Sequence, residues 1–507
     1  MEKVARPWPA LWSLVIGFFM ILIDTTIVSV ANPRIMEGLN ADINAVIWVT
    51  SAYLLAYAVP LLIMGRLGDR FGPKRLYLAG LVVFTLASLW CGLSGDVQTL
   101  IMARVLQGLG AAIMTPQTMA VITRIFPPDR RGAAMGIWGA TAGVATLVGP
   151  ILGGVLVDGL GWEWIFFINL PVGVVGFILA WRFVPSLTTH PHKFDIPGVL
   201  LSAAGLFLVV FGIQEGETYN WGTITGPITV WGLIIAGVAV LVAFVLWQRF
   251  NKGEPLLPLG LFKDRNFSLA NIGITTVGFA ITAFNLPLIF YYQVVRGLTP
   301  TQSALMMIPM AVISGGLAPV VGRIIDRVNP KYITAAGLVL MSLALFWNSA
   351  LMHPDTPIWI FLLPSAVLGF ANAGIWAPLS TTATRNLPPR QAGAGSGVYN
   401  TTRQIGAVLG SAAIAVLIQS RLAAELPPAP GGAADAGPMS LGGVLPEALH
   451  DGFSTAMGQS IMLPAAVILL GAAVALFFAK PKAVDGWGAG PAPAVAGEAS
   501  EGAARPA

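Results

Sequence analysis

The stretch from Leu76 to Leu93, LYLAGLVVFTLASLWCGL, runs 18 residues without a charged side chain. As a helix it rises about 27 Å, close to the ~30 Å depth of a bilayer's hydrocarbon core. Leu11 to Ala31 is a second such run, with one acid inside it. Fourteen segments of this kind begin near Trp8, Ile47, Leu76, Thr99, Ala133, Trp164, Ile196, Ile228, Phe267, Gln302, Tyr332, Ile358, Gly395 and Ala456. They are too long and continuous for barrel strands, so the expected class is an all-α integral membrane protein with 14 transmembrane helices. A 507-residue chain with 56% hydrophobic and only 10% charged residues does not fit a set of soluble domains, which carry roughly 25% charged residues. The first run is too long for a signal-peptide core and ends in Asn32-Pro33, so it reads as a retained helix.

Lysine and arginine orient the chain. Placing the N-terminus in the cytoplasm puts 23 of the 28 on that side. Arg34, Arg296 and Arg421 fall outside, and Arg104 and Arg403 lie within helices. This positive-inside bias predicts cytoplasmic N- and C-termini in a multi-pass protein of the cytoplasmic (inner) membrane. The net charge of +5 therefore reflects topology, and no nucleic-acid partner is expected.

The chain offers little for catalysis. Cys91 is the only cysteine and lies in an apolar run, and His190, His192, His353 and His450 lie in predicted loops. No spacing matches a metal site, nucleophile elbow, phosphate loop or dinucleotide fingerprint. The expectation is no enzyme, no metal and no cofactor. No soluble stretch is long enough for the nucleotide-binding domain of an ATP-driven pump.

The segments form a duplicated unit. GRLGDRFGPKR, Gly65 to Arg75, has five charged residues in eleven and returns as GRIIDRVNPKY at Gly322 to Tyr332, an offset of 257. A second pair, Gly110–Gly136 and Asn372–Gly397, aligns Arg124/Arg385, Pro127/Pro388, Pro128/Pro389, Gly132/Gly393 and Gly136/Gly397 at an offset of 261. The expected organisation is a six-helix bundle over 1–185, a linker with two inserted helices over 186–263, and a second six-helix bundle over 264–480. A disordered cytoplasmic tail would occupy 481–507, and the Ala/Gly/Pro-rich loop after Arg421 would lie outside. Parallel six-helix repeats suit alternating access about a midplane site.

On these residues the chain resembles the major facilitator superfamily. Gly65–Arg75 is similar to its loop 2–3 signature, RVLQGLGAA (Arg104–Ala112) to its helix 4 motif, and GVATLVGPILGG (Gly143–Gly154) to its helix 5 antiporter motif. LIDTTIVSVANP (Leu22–Pro33) is similar to the helix 1 motif of the fourteen-helix drug:proton antiporters, and WEWIFFINLPVG and GVYNTTRQIGAVLG extend the match. The resemblance implies the superfamily's fold and a proton-coupled exporter of drugs or other amphipathic, often cationic, small molecules. Its driving force would be the proton gradient, and its expected partners are the substrates, protons, the lipid bilayer and a periplasmic adaptor. A dedicated exporter of one metabolite or lipid-like molecule is the alternative. A membrane-embedded enzyme or sensor would need a catalytic cluster or output domain that the sequence lacks.

Ionisable groups deep in a membrane are candidate functional residues. Asp24 lies nine residues before Pro33 and Arg104 six residues after Gln98, hence about 13 Å and about 9 Å from the outer ends of their helices. The resemblance places both against one central cavity. The expectation is that Asp24 carries one proton per cycle and Arg104 tunes it, because a nearby guanidinium favours the carboxylate and desolvation favours the acid. The alternative is a fixed structural ion pair. Arg403 has no carboxylate that the sequence pairs with it, and function or scaffold both fit.

Gly143, Gly149, Pro150, Gly153 and Gly154 would let helix 5 bend and approach a neighbour closely. By resemblance, that helix packs at the interface between halves. Gly65, Gly68 and Gly72 suit a tight turn, and Asp69 could hold exposed N–H groups at a neighbouring helix start or pair with an arginine. With Arg70 and Arg75, and with Asp326 and Arg327 in the second copy, this forms a candidate cytoplasmic gate. Candidates for a substrate cavity are Tyr53, Tyr57, Met114, Gln117, Trp138, Asn285, Tyr291, Met307, Asn372, Trp376, Asn400 and Arg403, being aromatic, adaptable or polar.

Overall fold

A computed structural model describes residues 7–41, 43–189, 195–216, 218–251, 253, 255–325, 328–388, 391–426 and 445–479. The first half consists of α1 (Pro7–Gly38), α2 (Ile43–Ala58), α3 (Leu61–Phe71), α4 (Pro73–Gly92), α5 (Val97–Ile125), α6 (Pro128–Gly159), α7 (Trp164–Phe167) and α8 (Asn169–Phe183). Two further helices follow, α9 (Ile196–Gln214) and α10 (Val230–Phe250), joined through a short antiparallel hairpin, β1 (Thr223–Thr225) and β2 (Ile228–Thr229). The second half holds α11 (Arg265–Phe290), α12 (Pro300–Leu305), α13 (Ile308–Ile325), α14 (Pro330–Leu351), α15 (Leu362–Thr384), α16 (Ala392–Glu425) and α17 (His450–Ala475).

Twelve of the described helices are long and apolar enough to cross a membrane, and a thirteenth span forms if α2 and α3, bent by 45° about Val59-Pro60, are taken together. The remaining predicted segment lies in α6, whose described apolar stretch is the shorter Val148–Val157. Helix starts carry the chemistry that exposed N–H groups require. The Asp96 carboxylate accepts from Thr99 N at 2.8 Å to open α5, and Asp264 does the same for Phe267 N at 2.8 Å in α11.

The structure corrects the reading of Gly65–Arg75 as a loop. Helix α3 continues to Phe71, Gly72 alone makes the turn at φ +93°, and Pro73 opens α4. Gly65 and Gly68 are therefore helical, and their lack of a side chain serves packing.

The halves meet along two seams related by the repeat: α3 on α16, and α13 on α6. A Cβ on Gly65 would run into Gly393 O, and one on Gly393 into Gly65 O. In the second seam a Cβ on Gly322 would lie 2.5 Å from Gly132 O, and one on Gly136 2.5 Å from Ala318 O. These are the glycines that align in the two sequence repeats, now crossed between halves. Backbones this close leave no room for a methyl group.

The inserted pair α9 and α10 pack on each other, and α9 touches α2 and α16. Trp231, Ile235, Val238, Val242 and Leu246 of α10 are exposed, as a lipid-facing helix requires. One carboxylate ties the pair together: Asp195 accepts from Gly198 N (3.0 Å), Trp247 Nε1 (2.8 Å), Gln248 Nε2 (2.7 Å) and Leu256 N (3.1 Å). Asp195→Ala leaves these donors without their acceptor and is expected to cost about 1–3 kcal/mol. A lower midpoint of heat inactivation in detergent would show it; an unchanged midpoint would contradict it.

Candidate functional site

The polar cluster in the first half is built around Asp24 on α1. Its Oδ2 accepts from Arg104 Nη1 of α5 at 2.6 Å, and both side chains are fully buried. Its Oδ1 accepts from Gln107 Nε2 at 2.8 Å and Asn169 Nδ2 at 3.1 Å. Asn169 also donates to Ser88 Oγ at 3.0 Å, and Ser88 donates to Phe166 O at 2.9 Å. Arg104 gives Nη1 to Gln107 Oε1 at 2.7 Å and Nε to Val49 O at 3.2 Å, with its guanidinium carbon 4.0 Å from the centre of the Tyr53 ring. Four helices (α1, α4, α5 and α8) and the rings of Tyr53 and Phe166 enclose the pair.

Asp24 and Arg104 thus meet as the sequence expects. Gln107, Asn169 and Ser88 were not singled out, although Gln107 lies one turn beyond Arg104 and Asn169 falls in the quoted run WEWIFFINLPVG. The cluster lies inside the first bundle and reaches the second half through Tyr53, which stacks on Tyr57 at 6.1 Å, and Arg403 Nη2 of α16 approaches Tyr57 OH at 3.5 Å.

At the seam α3–α16, Asp69 accepts from Gly393 N and Ala394 N, each at 2.9 Å, and is 3% exposed. These are free donors of the first turn of α16, where the helix end favours an anion. A second cross-link was not expected: buried Arg131 donates to Thr384 O of the other half at 3.1 Å and to Thr123 O at 2.7 Å. Arg70 is half-buried, whereas Arg75 is exposed on the first turn of α4, clear of the seam. Asp326 and Arg327 lie outside the described residues. Asp69→Asn replaces a carboxylate that takes both donors with a weaker acceptor, an expected loss of about 1.5–3 kcal/mol for the packed seam. Labelling of a cysteine placed at buried Ser396, in a Cys91→Ser background, should rise from the side of the Gly65–Arg75 segment. Unchanged labelling would contradict the contact's role.

Helix α6 lies between α1 of its own half and α13 and α15 of the other. Gly149 takes Thr26 Oγ1 of α1 where its Cβ would stand, and a Cβ on Gly154 would sit 3.3 Å from Thr301 Oγ1 of α12. Gly143, Pro150 and Gly153 lie within the same helix.

The cavity candidates separate into three groups. Trp138 and Trp376 approach edge to face across the seam at 6.5 Å, Phe18 stacks on Trp138 at 4.9 Å, and Arg403 lies over Trp376 at 6.0 Å. Arg403 Nη2 reaches Tyr57 OH at 3.5 Å, and Asn400 lies one turn away, buried. A second group belongs to packing inside a half, contrary to expectation: Met114 fills the space over Gly17 and Gly80, Gln117 binds Met64 O at 2.7 Å beside Gly68, and Tyr53 covers Arg104. The third lies elsewhere. Tyr291 donates to His353 O at 2.7 Å, Asn285 turns back to Ile281 O at 3.4 Å, and Asn372 and Met307 are half-buried. Aromatic and methionine side chains in an apolar helix look alike in sequence whether they face a cavity or a core.

Residues 14–411 match the sequence profile of the Major Facilitator Superfamily. The chain is 54% identical over 477 residues to the MFS-type transporter Rv1250 of Mycobacterium tuberculosis, spanning 93% of this chain and 81% of that protein. It is 33% identical over 501 residues to the tetracenomycin C resistance and export protein of Streptomyces glaucescens, spanning 94% and 92%. Among solved structures it is similar to the proton:xylose symporter XylE, with a TM-score of 0.60 at 13% identity over 92% of this chain and 95% of that one.

Proposed function

The chain belongs to the Major Facilitator Superfamily, and from that premise we propose that this membrane transporter is a proton-coupled antiporter exporting amphipathic small molecules from the cytoplasm. The observation that carries the reading is the Asp24–Arg104 pair, fully buried and held by Gln107 and Asn169. An ionisable carboxylate in that setting is costly to keep unless its charge has a use. Its relatedness to an export protein supports the outward direction.

The proposed cycle follows from the contacts. A proton arriving at Asp24 cancels the ion pair. Arg104 keeps Gln107 Oε1, Val49 O and the Tyr53 ring, so the guanidinium stays in place while its hold on α1 weakens. Thr26, two residues on, is seated in Gly149 of α6, so movement of α1 reaches the seam with α13. In this cycle the Asp69 contact is the closure of the cytoplasmic end and must break for the transporter to open inward. Substrate and proton are then bound in alternation.

The test is a proteoliposome assay with an imposed pH gradient and a panel of neutral and charged amphiphiles. Gradient-dependent efflux of several unrelated compounds is the expected result. Efflux of one compound alone would identify a dedicated exporter, and efflux independent of the gradient would overturn proton coupling.

A further inference from the structure

Among the described residues at the seam between the halves, Trp138 Nε1, Trp376 Nε1 and Arg403 Nε are N–H donors without acceptors. Trp138 is 1% exposed and Trp376 7%. The two indoles are 6.5 Å apart, and the Arg403 guanidinium stands 6.0 Å from the Trp376 ring. All three therefore fall within the span of one small ligand. Buried donors are almost always paired in folded proteins, so three together mark a place where an acceptor belongs.

The charge around them has one sign. Among the described residues no carboxylate lies within ion-pair distance of Arg403. Among the described residues, Asp24 is taken by Arg104, Gln107 and Asn169, and Asp69 by Gly393 N and Ala394 N. Arg403 has Tyr57 OH at 3.5 Å, a long contact to a neutral group. A half-buried guanidinium without a counter-charge favours an anion, and its planar fork suits a carboxylate or phenolate. The walls are aromatic: Phe18, Trp138, Trp376 and Tyr57. One acceptor also lacks a donor, Asn400 Oδ1, one turn from Arg403.

Resting on the exporter reading, we infer that the preferred substrates are planar aromatic compounds bearing an acidic group, held by Arg403 beside Trp138 and Trp376. The ionised acid accepts from Arg403, ring carbonyl or ether oxygens accept from the indoles, and a ligand hydroxyl donates to Asn400 Oδ1. This departs from the cationic substrates that the family resemblance implies. Exchange of an anion for a proton also moves more charge across the membrane than exchange of a neutral compound, so export of the acid should depend more steeply on voltage.

The test uses one frame with three charges: anthraquinone-2-carboxylate and its hydroxymethyl and aminomethyl counterparts. Binding to the purified full-length protein is followed by fluorescence, and efflux from proteoliposomes under a pH gradient. The carboxylate should bind at least about tenfold more tightly than either counterpart, the worth of one charge-assisted hydrogen bond. Arg403→Gln should reduce carboxylate binding to the level of the hydroxymethyl compound, and Arg403→Lys should restore part of the preference. Equal binding of all three by the wild type, preference for the amine, or binding of the acid unchanged in Arg403→Gln would each overturn the inference. Should Arg403→Gln not fold, Trp376→Phe, which removes the N–H together with the pyrrole ring, must weaken binding of the quinone carboxylate; unchanged binding counts against the site. Carboxylate-selective binding without gradient-driven efflux would instead sink proton coupling and leave the substrate class standing.

Discussion

Replacing Asp24 by asparagine is expected to abolish uphill, gradient-driven efflux while downhill exchange of substrate continues. Asparagine has the shape of aspartic acid and keeps an oxygen for Gln107 and Asn169. It cannot gain or lose a proton, so the site is fixed in the uncharged arrangement. The cost is the lost partner of Arg104, and breaking a buried pair typically costs about 3–5 kcal/mol. Here Gln107 Oε1, Val49 O and the Tyr53 ring remain as partners, which reduces that cost. Asp24→Glu retains the titrating group and should retain coupling in part. Uphill efflux by Asp24→Asn at the wild-type rate would show the pair to be structural.

The second large effect concerns the seam. A side chain at Gly393 must displace Gly65 O, and its Cβ would also lie 2.6 Å from Asp69 Oδ1. Gly393→Val therefore adds overpacking, about 1–3 kcal/mol, to the loss of the two hydrogen bonds at Asp69, about 1.5–3 kcal/mol. Together these exceed the tenfold step in population that about 1.4 kcal/mol represents. The end of the transporter that this seam closes should remain open, with efflux lost and labelling of a cysteine at position 396 raised. Gly322→Val, at the repeat-related place against Gly132 O, should give the same phenotype. Gly316→Ala meets nothing within 4 Å and should be tolerated. Tolerance of valine at both 393 and 322 would contradict the closed seam.

Much of this was legible before the structure. The apolar runs announced the helices, because a bilayer leaves helices or closed barrels as the only spanning forms. The offsets of 257 and 261 announced the duplication, and similar depths announced that Asp24 and Arg104 could meet. The crossing of the repeats was not legible: each glycine looked like part of its own copy, whereas Gly65 serves Gly393 and Gly132 serves Gly322. Nor was the shell around Asp24, since Asn169 comes from a helix 145 residues away and nothing local marks it as a partner. Nor is the helical course of Gly65 to Phe71 legible, for a plain reason. Its charges suggested a loop, yet charged residues at the membrane surface are compatible with a helix that simply ends later, at Phe71.

The central claim is that one carboxylate exchanges its proton as substrate moves. The most direct measurement is proton release on adding substrate to the purified transporter in weakly buffered detergent solution, read with a pH-indicator dye. Release by the wild type and none by Asp24→Asn at equal substrate occupancy is the expected result. Equal release by both proteins would contradict it.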